Sequence, residues 1–543
     1  MSKKSTKNET KAPTYKVLIC DDLNPAAVEV FRRRGLDPEV RLGLTEGDLI
    51  QEVSDAHAVV VRSASRITRP VLEAAKNLMV VGRAGIGVDN IDCEAATERG
   101  IVVMNTPRGN ALTTAELTLA HLMSLARHVP QADRRVRDGQ WKKSGLVGTE
   151  ISGKTLGVIG LGRIGRLVAE RARGLGMRVV AFDPYLDGEN EAPVDGVELG
   201  GLDQVLRRSD FLTVHVPLTE NTRHLLSHEQ FAKLKPGAKL IQCSRGGIVD
   251  ENAALEALET GQLSGAAFDV FEEEPPRDTN PLLSRNDVVV TPHLGASSEE
   301  AQLRVAVDIA EQISDFLLDG HAQNAVNAPS LAPEAMTQMA PYLLLAEKMG
   351  SFLAQRMQAP IKKLELCVTG DVRRFGPEHL RLAMLVGLLR DSLATGVNFV
   401  NAPNLARERG ILVLESTADG GEYAHGELRV TASERAGGES HSLVGTVFGR
   451  DPRFVQVDEV HLDLAPRGNL LITEHADQPG VVGQIGTLLG ERGVNIQRLE
   501  LAPHPDHDSQ ALGFFQVDSK NAAEWVEDLK GLTSVRAVRW IRM

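Results

Sequence analysis

The chain has 543 residues, more than one hydrophobic core usually supports, so three or four domains of roughly 100–200 residues each are expected. A formal charge of -13 and a pI near 5.7 argue against a nucleic-acid or anionic-membrane partner, and local arginines must meet any anionic substrate. Cys20, Cys93, Cys243 and Cys367 form no CxxC pair and are too few to staple such a chain, which fits a reducing cytoplasm.

Residues 1–13 are polar and lysine-rich with no apolar h-region, and no later run approaches the roughly 18 apolar residues of a membrane span; they read as a disordered tail on a soluble protein. Short β-branched runs at 16–20, 58–62, 79–82 and 101–104 alternate with helical patterns at 25–34 and 69–75, the rhythm of a parallel sheet. Residues 110–136 are apolar at helical spacing and read as a connecting helix that Pro130 should bend or break. A second series follows at 155–159, 178–182, 211–216, 239–243, 265–268 and 287–290, and six such strands fill a doubly wound nucleotide-binding domain.

A helix over 298–318 then leads into a linker at 319–333. Residues 336–466 mix helices (342–358, 379–395) with alternating strands (427–431, 442–446) and carry no chemical motif. From Asn469 the order is strand 470–474, helix 480–492, strands 496–501 and 511–517, helix 522–529 and strand 535–541, the βαββαβ pattern of a ferredoxin-like domain. The expected class is therefore α/β: two Rossmann-like doubly wound parallel-sheet domains, then an α+β domain and the ferredoxin-like one.

Residues 157–165, Gly-Val-Ile-Gly-Leu-Gly-Arg-Ile-Gly, set G-x-G-x-x-G directly after a strand and at the start of a helix. Gly160 permits the tight turn, Gly162 lets the backbone approach a pyrophosphate, and Gly165 allows close packing of helix on strand. The next strand ends in Asp183, about 20 residues on, where a carboxylate accepts from the adenine-ribose diol and repels a 2′-phosphate. Pro184 and Tyr185 follow it instead of a basic residue, so NAD is favoured over NADP. Residues 85–89, Gly-Ile-Gly-Val-Asp, have the wrong glycine spacing for this motif.

Three side chains fall after strand ends of the second series, at the edge where open α/β sheets bind ligands: Arg245, Glu274 and His293. Oxidation of an alcohol needs a base for the hydroxyl proton while hydride leaves carbon, and an imidazole, as at His293, is the side chain suited to that task. Glu274 would favour the imidazolium and fix the ring, and Arg245 can bind a carboxylate in bidentate fashion and polarise a carbonyl. Taken singly the residues have duller readings: Glu272 and Glu273 make Glu274 part of a solvated acidic run, and an isolated arginine or a histidine after proline is usually surface or loop.

These residues resemble the D-isomer-specific 2-hydroxyacid dehydrogenases, and more narrowly the long phosphoglycerate dehydrogenases, over almost the whole chain from Tyr15. The resemblance implies substrate-binding and catalytic roles for Arg245, Glu274 and His293. It implies cofactor contacts at Gly160, Gly162, Arg163, Ile164, Gly165, Asp183, Val216, Pro217, Thr222, Cys243, Ser244, Asp269, Gly295 and Ala296. Substrate contacts follow at Arg62, Ser63, Arg83 and Gly85, where the two arginines are the local charge that a phosphorylated acid requires. Lys142 and Lys143, near Trp141, would add charge from a neighbouring subunit, and the helices around 110–136 would form a dimer.

The implied layout is a substrate domain (14–108 and 299–330), an NAD domain (109–298), an intervening domain (331–466) and an amino-acid-binding ACT domain (467–543), with His475, Asp477 and Asn495 at the effector site. Asp477 stands where the family often has asparagine. The implied activity is NAD-dependent oxidation of D-3-phosphoglycerate to 3-phosphohydroxypyruvate, the first step of the phosphorylated route to L-serine. L-serine would be an effector of a cytoplasmic homo-oligomer, dimer or tetramer. The alternatives are a glyoxylate or hydroxypyruvate reductase and a non-catalytic NAD-sensing scaffold.

Overall fold

The computed structural model describes residues 15–186, 194–329, 333–390, 396–423, 425–434, 438–504, 507–518 and 523–543. The expected tail at 1–13, part of the 319–333 linker, the end of the 379–395 helix and residue 522 lie outside them. The described residues build four sheets.

Strands β1 (Lys16–Ile19), β2 (Asp37–Val40), β3 (Ala58–Val61), β4 (Val80–Arg83) and β5 (Val102–Asn105) pair in parallel in the order β2-β1-β3-β4-β5. That is the flavodoxin-like doubly wound order. The central β3, Ala-Val-Val-Val, is buried at every position, as a parallel strand covered on both faces must be. The unanticipated β2 reads Asp-Pro-Glu-Val and lies at the sheet edge, where Pro38 and two carboxylates are tolerated.

The second sheet holds β6 (Thr155–Ile159), β7 (Arg178–Phe182), β8 (Val197–Leu199), β9 (Phe211–Val214), β10 (Ala238–Gln242), β11 (Leu263–Phe268) and β12 (Val288–Val290). All are parallel, in the order β12-β11-β10-β9-β6-β7-β8. It has seven strands where the sequence pattern suggested six. The extra one, β8, is a short edge strand.

Two helices, Ala111–Arg127 and Val129–Arg137, connect the sheets, and the chain breaks at His128, whose φ is 52°. Pro130 sits in the first turn of the second helix, where its missing N–H costs nothing. After β12 the helix Glu299–Asp319, capped by Ser298 and ended by Gly320, buries Val305, Ile309 and Ile313 against Val17, Val60 and Val80 of the first sheet. The chain thus crosses to the second sheet and returns, and the strand-end loops of both sheets approach one another.

The third sheet, β13 (Lys363–Thr369), β14 (Leu412–Thr417), β15 (Glu427–Ser433), β16 (Ser440–Phe448), β17 (Asp451–Val457) and β18 (Val460–Leu464), is mixed, with β13 and β14 parallel. It packs on the helices Pro333–Arg356 and Glu378–Arg390. The last sheet, β19 (Asn469–Ala476), β20 (Ile496–His504), β21 (His507–Val517) and β22 (Val535–Arg542), is antiparallel in the ferredoxin-like order β20-β21-β19-β22. One face, through Leu471 and Phe515, meets the helices Val481–Glu491 and Ala523–Lys530. The other, through Leu470, Ile472, Phe514 and Ile541, joins the same apolar cluster as Phe352 and Phe454 of the preceding domain.

Candidate active site

The glycine turn follows β6 and opens the helix Arg163–Gly174. Gly160 has φ 89°, and a Cβ there would lie 2.6 Å from the His215 carbonyl oxygen. A Cβ on Gly165 would lie 2.0 Å from the Gly160 carbonyl oxygen, so helix and strand meet with no room for a side chain. A Cβ on Gly162 would meet nothing within 4 Å, leaving an open cradle at the helix N-terminus where amides point outward. Asp183 steadies the turn: Oδ2 accepts from the Leu161 amide at 2.9 Å and Oδ1 from the Tyr185 amide at 3.0 Å. These residues fit a dinucleotide, with Arg163 exposed beside the cradle and Ile164 half-buried.

The other positions expected to contact the cofactor lie on loops after strands of the same sheet. Val216, Pro217 and Thr222 follow β9, and Thr222 Oγ1 closes that loop by donating to the Pro217 carbonyl at 2.6 Å. His215, at its start, is held by Thr213 at 3.0 Å, and burial pushes its imidazole down to about 4, so it is neutral in use. After β10, Cys243 is buried and its thiol pushed up by that burial, while the Ser244 hydroxyl donates back to Gln242 at 2.7 Å.

Asp269 is 1% exposed, and its carboxylate is taken up by the loop that carries His293. It accepts from the Thr291 hydroxyl (2.6 Å), the Leu294 amide (2.7 Å) and the Gly295 amide (2.9 Å), while its carbonyl accepts from the His293 amide (2.9 Å). Gly295 is buried against Thr114, and Ala296 is half-buried beside it. This grip holds His293 at φ 53°, an uncommon conformation for a residue with a Cβ.

His293 Nδ1 lies 2.7 Å from Glu274 Oε2, and Glu274 Oε1 accepts from the Phe271 amide at 3.1 Å. Burial raises the Glu274 carboxyl, but the His293 hydrogen bond and charge, the Phe271 amide and the Arg245 charge outweigh it and hold the group below the usual carboxylate value. The acidic run resolves accordingly: Glu272 pairs with His224 and Glu273 with Arg277, and Glu274 alone turns to His293. The pair keeps about 40% of its side-chain surface, 40% for His293 and 38% for Glu274, open to a ligand.

The first sheet supplies two more arginines. Asp21, at the end of β1, accepts from the Arg62 amide (2.5 Å), the Ser65 amide (3.0 Å) and the Ser65 hydroxyl (2.6 Å), and Asn90 binds the carbonyls of the same loop. Arg62 and the exposed Ser63 are presented by this clasp. Arg83 ends β4 and folds over Gly85, and its Nε is buried without a hydrogen-bond partner. Burial, then the charges of Arg245 and Arg62, lowers its guanidinium to about 10, still cationic at neutral pH. Arg62, Arg83, Arg245 and the Glu274–His293 pair therefore share one field.

Pattern reading missed Asp21, Asn90 and Thr291, whose work is to hold loops, and Asp89, whose Oδ2 accepts from Arg245 Nε at 3.0 Å. At the last sheet, Asp477 and Asn495 are exposed near the N-terminus and C-terminus of the helix Val481–Glu491, but the structure does not bring His475 to that surface. His475 is 2% exposed, its Nδ1 lies 3.1 Å from Thr473 Oγ1, and burial lowers its pKa.

Residues 119–295 match the NAD binding domain of the D-isomer specific 2-hydroxyacid dehydrogenases, 338–458 the D-3-phosphoglycerate dehydrogenase intervening domain, and 469–533 the ACT domain. The chain is 39% identical over 529 residues to D-3-phosphoglycerate dehydrogenase of Methanocaldococcus jannaschii, and 40% identical over 529 residues to that of Archaeoglobus fulgidus. Each alignment covers 97% of this chain and 100% of the relative. A crystal structure of D-lactate dehydrogenase from Aquifex aeolicus complexed with NAD and lactic acid superposes with a TM-score of 0.51 at 25% identity, covering 58% of this chain and 100% of that one. The chain belongs to the D-3-phosphoglycerate dehydrogenase family, within the D-isomer-specific 2-hydroxyacid dehydrogenases.

Proposed function

We propose that the protein oxidises D-3-phosphoglycerate to 3-phosphohydroxypyruvate with NAD, the first step of phosphorylated L-serine synthesis. The observation that carries this reading is the Glu274–His293 pair at 2.7 Å, sharing a cleft with Arg245, Arg83 and Arg62. NAD, when bound on the glycine turn, supplies the hydride acceptor. Because His293 Nδ1 is turned to Glu274, the other ring nitrogen, Nε2, is left to take the hydroxyl proton. The imidazolium that results is stabilised by the carboxylate behind it.

Arg245 grips the substrate carboxylate and polarises the oxygen that becomes the carbonyl. Arg62 and Arg83 meet the phosphate. An unpaired buried donor costs about 1–3 kcal/mol, and the unpartnered Arg83 Nε recovers this when an anion accepts from it. A glyoxylate or hydroxypyruvate reductase would leave these two arginines without a phosphate to meet.

The exposed Met123, Val129 and Val136 on the connecting helices support a homo-oligomer, dimer or tetramer. On the following loop Lys142 and Lys143 are exposed beside Trp141, which supports their reaching a neighbouring subunit. Asp477 and Asn495 support an L-serine site between two copies of the last domain. Four free cysteines support a cytoplasmic protein, and among the described residues no helix is long and apolar enough to cross a membrane.

The test is NADH formation from D-3-phosphoglycerate, D-lactate and D-glycerate, with and without L-serine, by the parent and by His293→Ala. D-3-phosphoglycerate should be preferred, and His293→Ala should lose roughly 10²–10⁴-fold in kcat. A signal no larger than that from D-lactate or D-glycerate rejects the substrate; an unimpaired His293→Ala rejects the mechanism.

A further inference from the structure

We propose that Asp89 is a positioning residue that orients the guanidinium of Arg245 for the substrate carboxylate, and that Gly87 is glycine because the guanidinium occupies the space a side chain would take. This rests on the function proposed above only in requiring a substrate that carries a carboxylate. The segment 85–89 has glycine spacing that fits no dinucleotide turn, and its use lies across the cleft.

Asp89 belongs to the loop after β4 of the first sheet and Arg245 to the loop after β10 of the second, 156 residues apart. Arg245 Nε donates to Asp89 Oδ2 at 3.0 Å and Nη1 donates to the Ser244 carbonyl at 2.7 Å. Two sides of the planar group are thereby fixed. Nη2 remains to meet an anion. It lies over Gly87, where a Cβ would stand 2.0 Å from Nη2 and 2.7 Å from Asp89 Oδ2. The Gly87 backbone is not in the left-handed region, so an alanine there acts only through space, by pushing the guanidinium of Arg245 aside.

Stability does not account for the pair. Asp89 keeps 64% of its side-chain surface exposed, and ion pairs so open to water add little. Charge does bear on it. Arg245 and Arg62 repel Arg83, and Asp89 and Asp21 are the carboxylates that offset this there. The direction from which Nη2 meets a carboxylate depends on the plane of the guanidinium, and a misplacement of about 1 Å can cost 10²-fold in rate.

The test compares Asp89→Ala, Asp89→Asn and Gly87→Ala, each in the parent and in an Arg245→Lys background, in full-length protein whose NADH affinity is checked by fluorescence. Asp89→Ala and Gly87→Ala should each lower kcat/KM for D-3-phosphoglycerate by roughly 10–100-fold through kcat, with NADH affinity within about two-fold of the parent. Asp89→Asn should lose less, because an oxygen acceptor remains. With lysine at 245, which has no plane to orient, Asp89→Ala should cost less than about two-fold more. Equal losses in both backgrounds, a loss carried by KM alone, or full activity in Asp89→Ala overturns the proposal. If Gly87→Ala does not fold, the two Asp89 variants decide. A parent that ignores D-3-phosphoglycerate but oxidises D-lactate or D-glycerate rejects the substrate, and the Asp89 comparison then runs on that acid, whose carboxylate is the same.

Discussion

At the carboxyl end of β1, the buried carboxylate of Asp21 gathers the amides of Arg62 and Ser65 and the Ser65 hydroxyl. At the carboxyl end of β6, the corresponding place in the second sheet, there is no such carboxylate: Gly162 stands open at a helix N-terminus and Asp183 braces the turn from the neighbouring strand. Both sheets are doubly wound, and both offer amides and a cleft at this position. What separates them is whether the chain fills the anion position with its own oxygen atoms. Where it does, a loop is clasped and Arg62 is presented; where it does not, the place is left to a pyrophosphate. Fold sets the location of a site, and local chemistry decides what it holds.

The largest effect expected from this contrast is at Gly165. Gly165→Val drives a side chain into the Gly160 carbonyl, so it should abolish NADH binding and destabilise the protein by about 1–3 kcal/mol or more in urea unfolding. Gly162→Ala, three residues away, meets open space at an ordinary φ of -71° and should stay within about 0.5 kcal/mol of the parent while weakening NADH binding roughly tenfold. Equal destabilisation by both would erase the distinction between a packing glycine and a ligand-facing one.

Asp21→Asn tests the other sheet. It removes the charge and turns an amide donor toward donors, which should cost about 1.5–3 kcal/mol and raise KM for the phosphorylated acid without altering NADH affinity. A changed NADH affinity would mean that the two strand ends are not independent.

A further effect concerns pH and stability alone. His215, between the two loops of the cofactor turn, titrates at about 4 when folded against 6.5 in an unfolded chain, so the unfolded state binds more protons between these values. Stability therefore rises with pH across that window, and acidification through it removes up to about 3 kcal/mol. Urea midpoints at pH 4.5 and 7 should differ less in His215→Leu than in the parent, and an identical pH dependence would remove His215 as the cause.

Much of the second sheet was legible because its strands are buried on both faces and read as continuous apolar runs, and because the glycine turn lies in one stretch with its acid one strand later. Among the strands that escaped notice, β2 carries a proline, β8 has three residues, and β14 has largely exposed side chains that leave little apolar signal, while β13, β17 and β18 lie in the third sheet, where only two strands were picked out. The trio at 245, 274 and 293 could be picked out from its position after strand ends. Its supports could not. Asp21 acts mainly through backbone amides, which leave no residue-specific trace, Asp89 meets a partner 156 residues away, and Asp269, expected as a cofactor contact, grips the loop that carries His293. His475 is expected at the effector site, but β19 runs on to Ala476 and turns that ring inward.

The apolar cluster shared by the third and fourth sheets bears on how the C-terminal half can be cut, moved or inherited. Leu470, Ile472, Phe514 and Ile541 lie in one continuous interior with Phe352, Leu366 and Phe454. Cleavage near residue 467 would give two fragments, each with a wet greasy face. The effector-binding module is thus half of a unit, joined to the preceding domain by packed side chains and not by a tether alone.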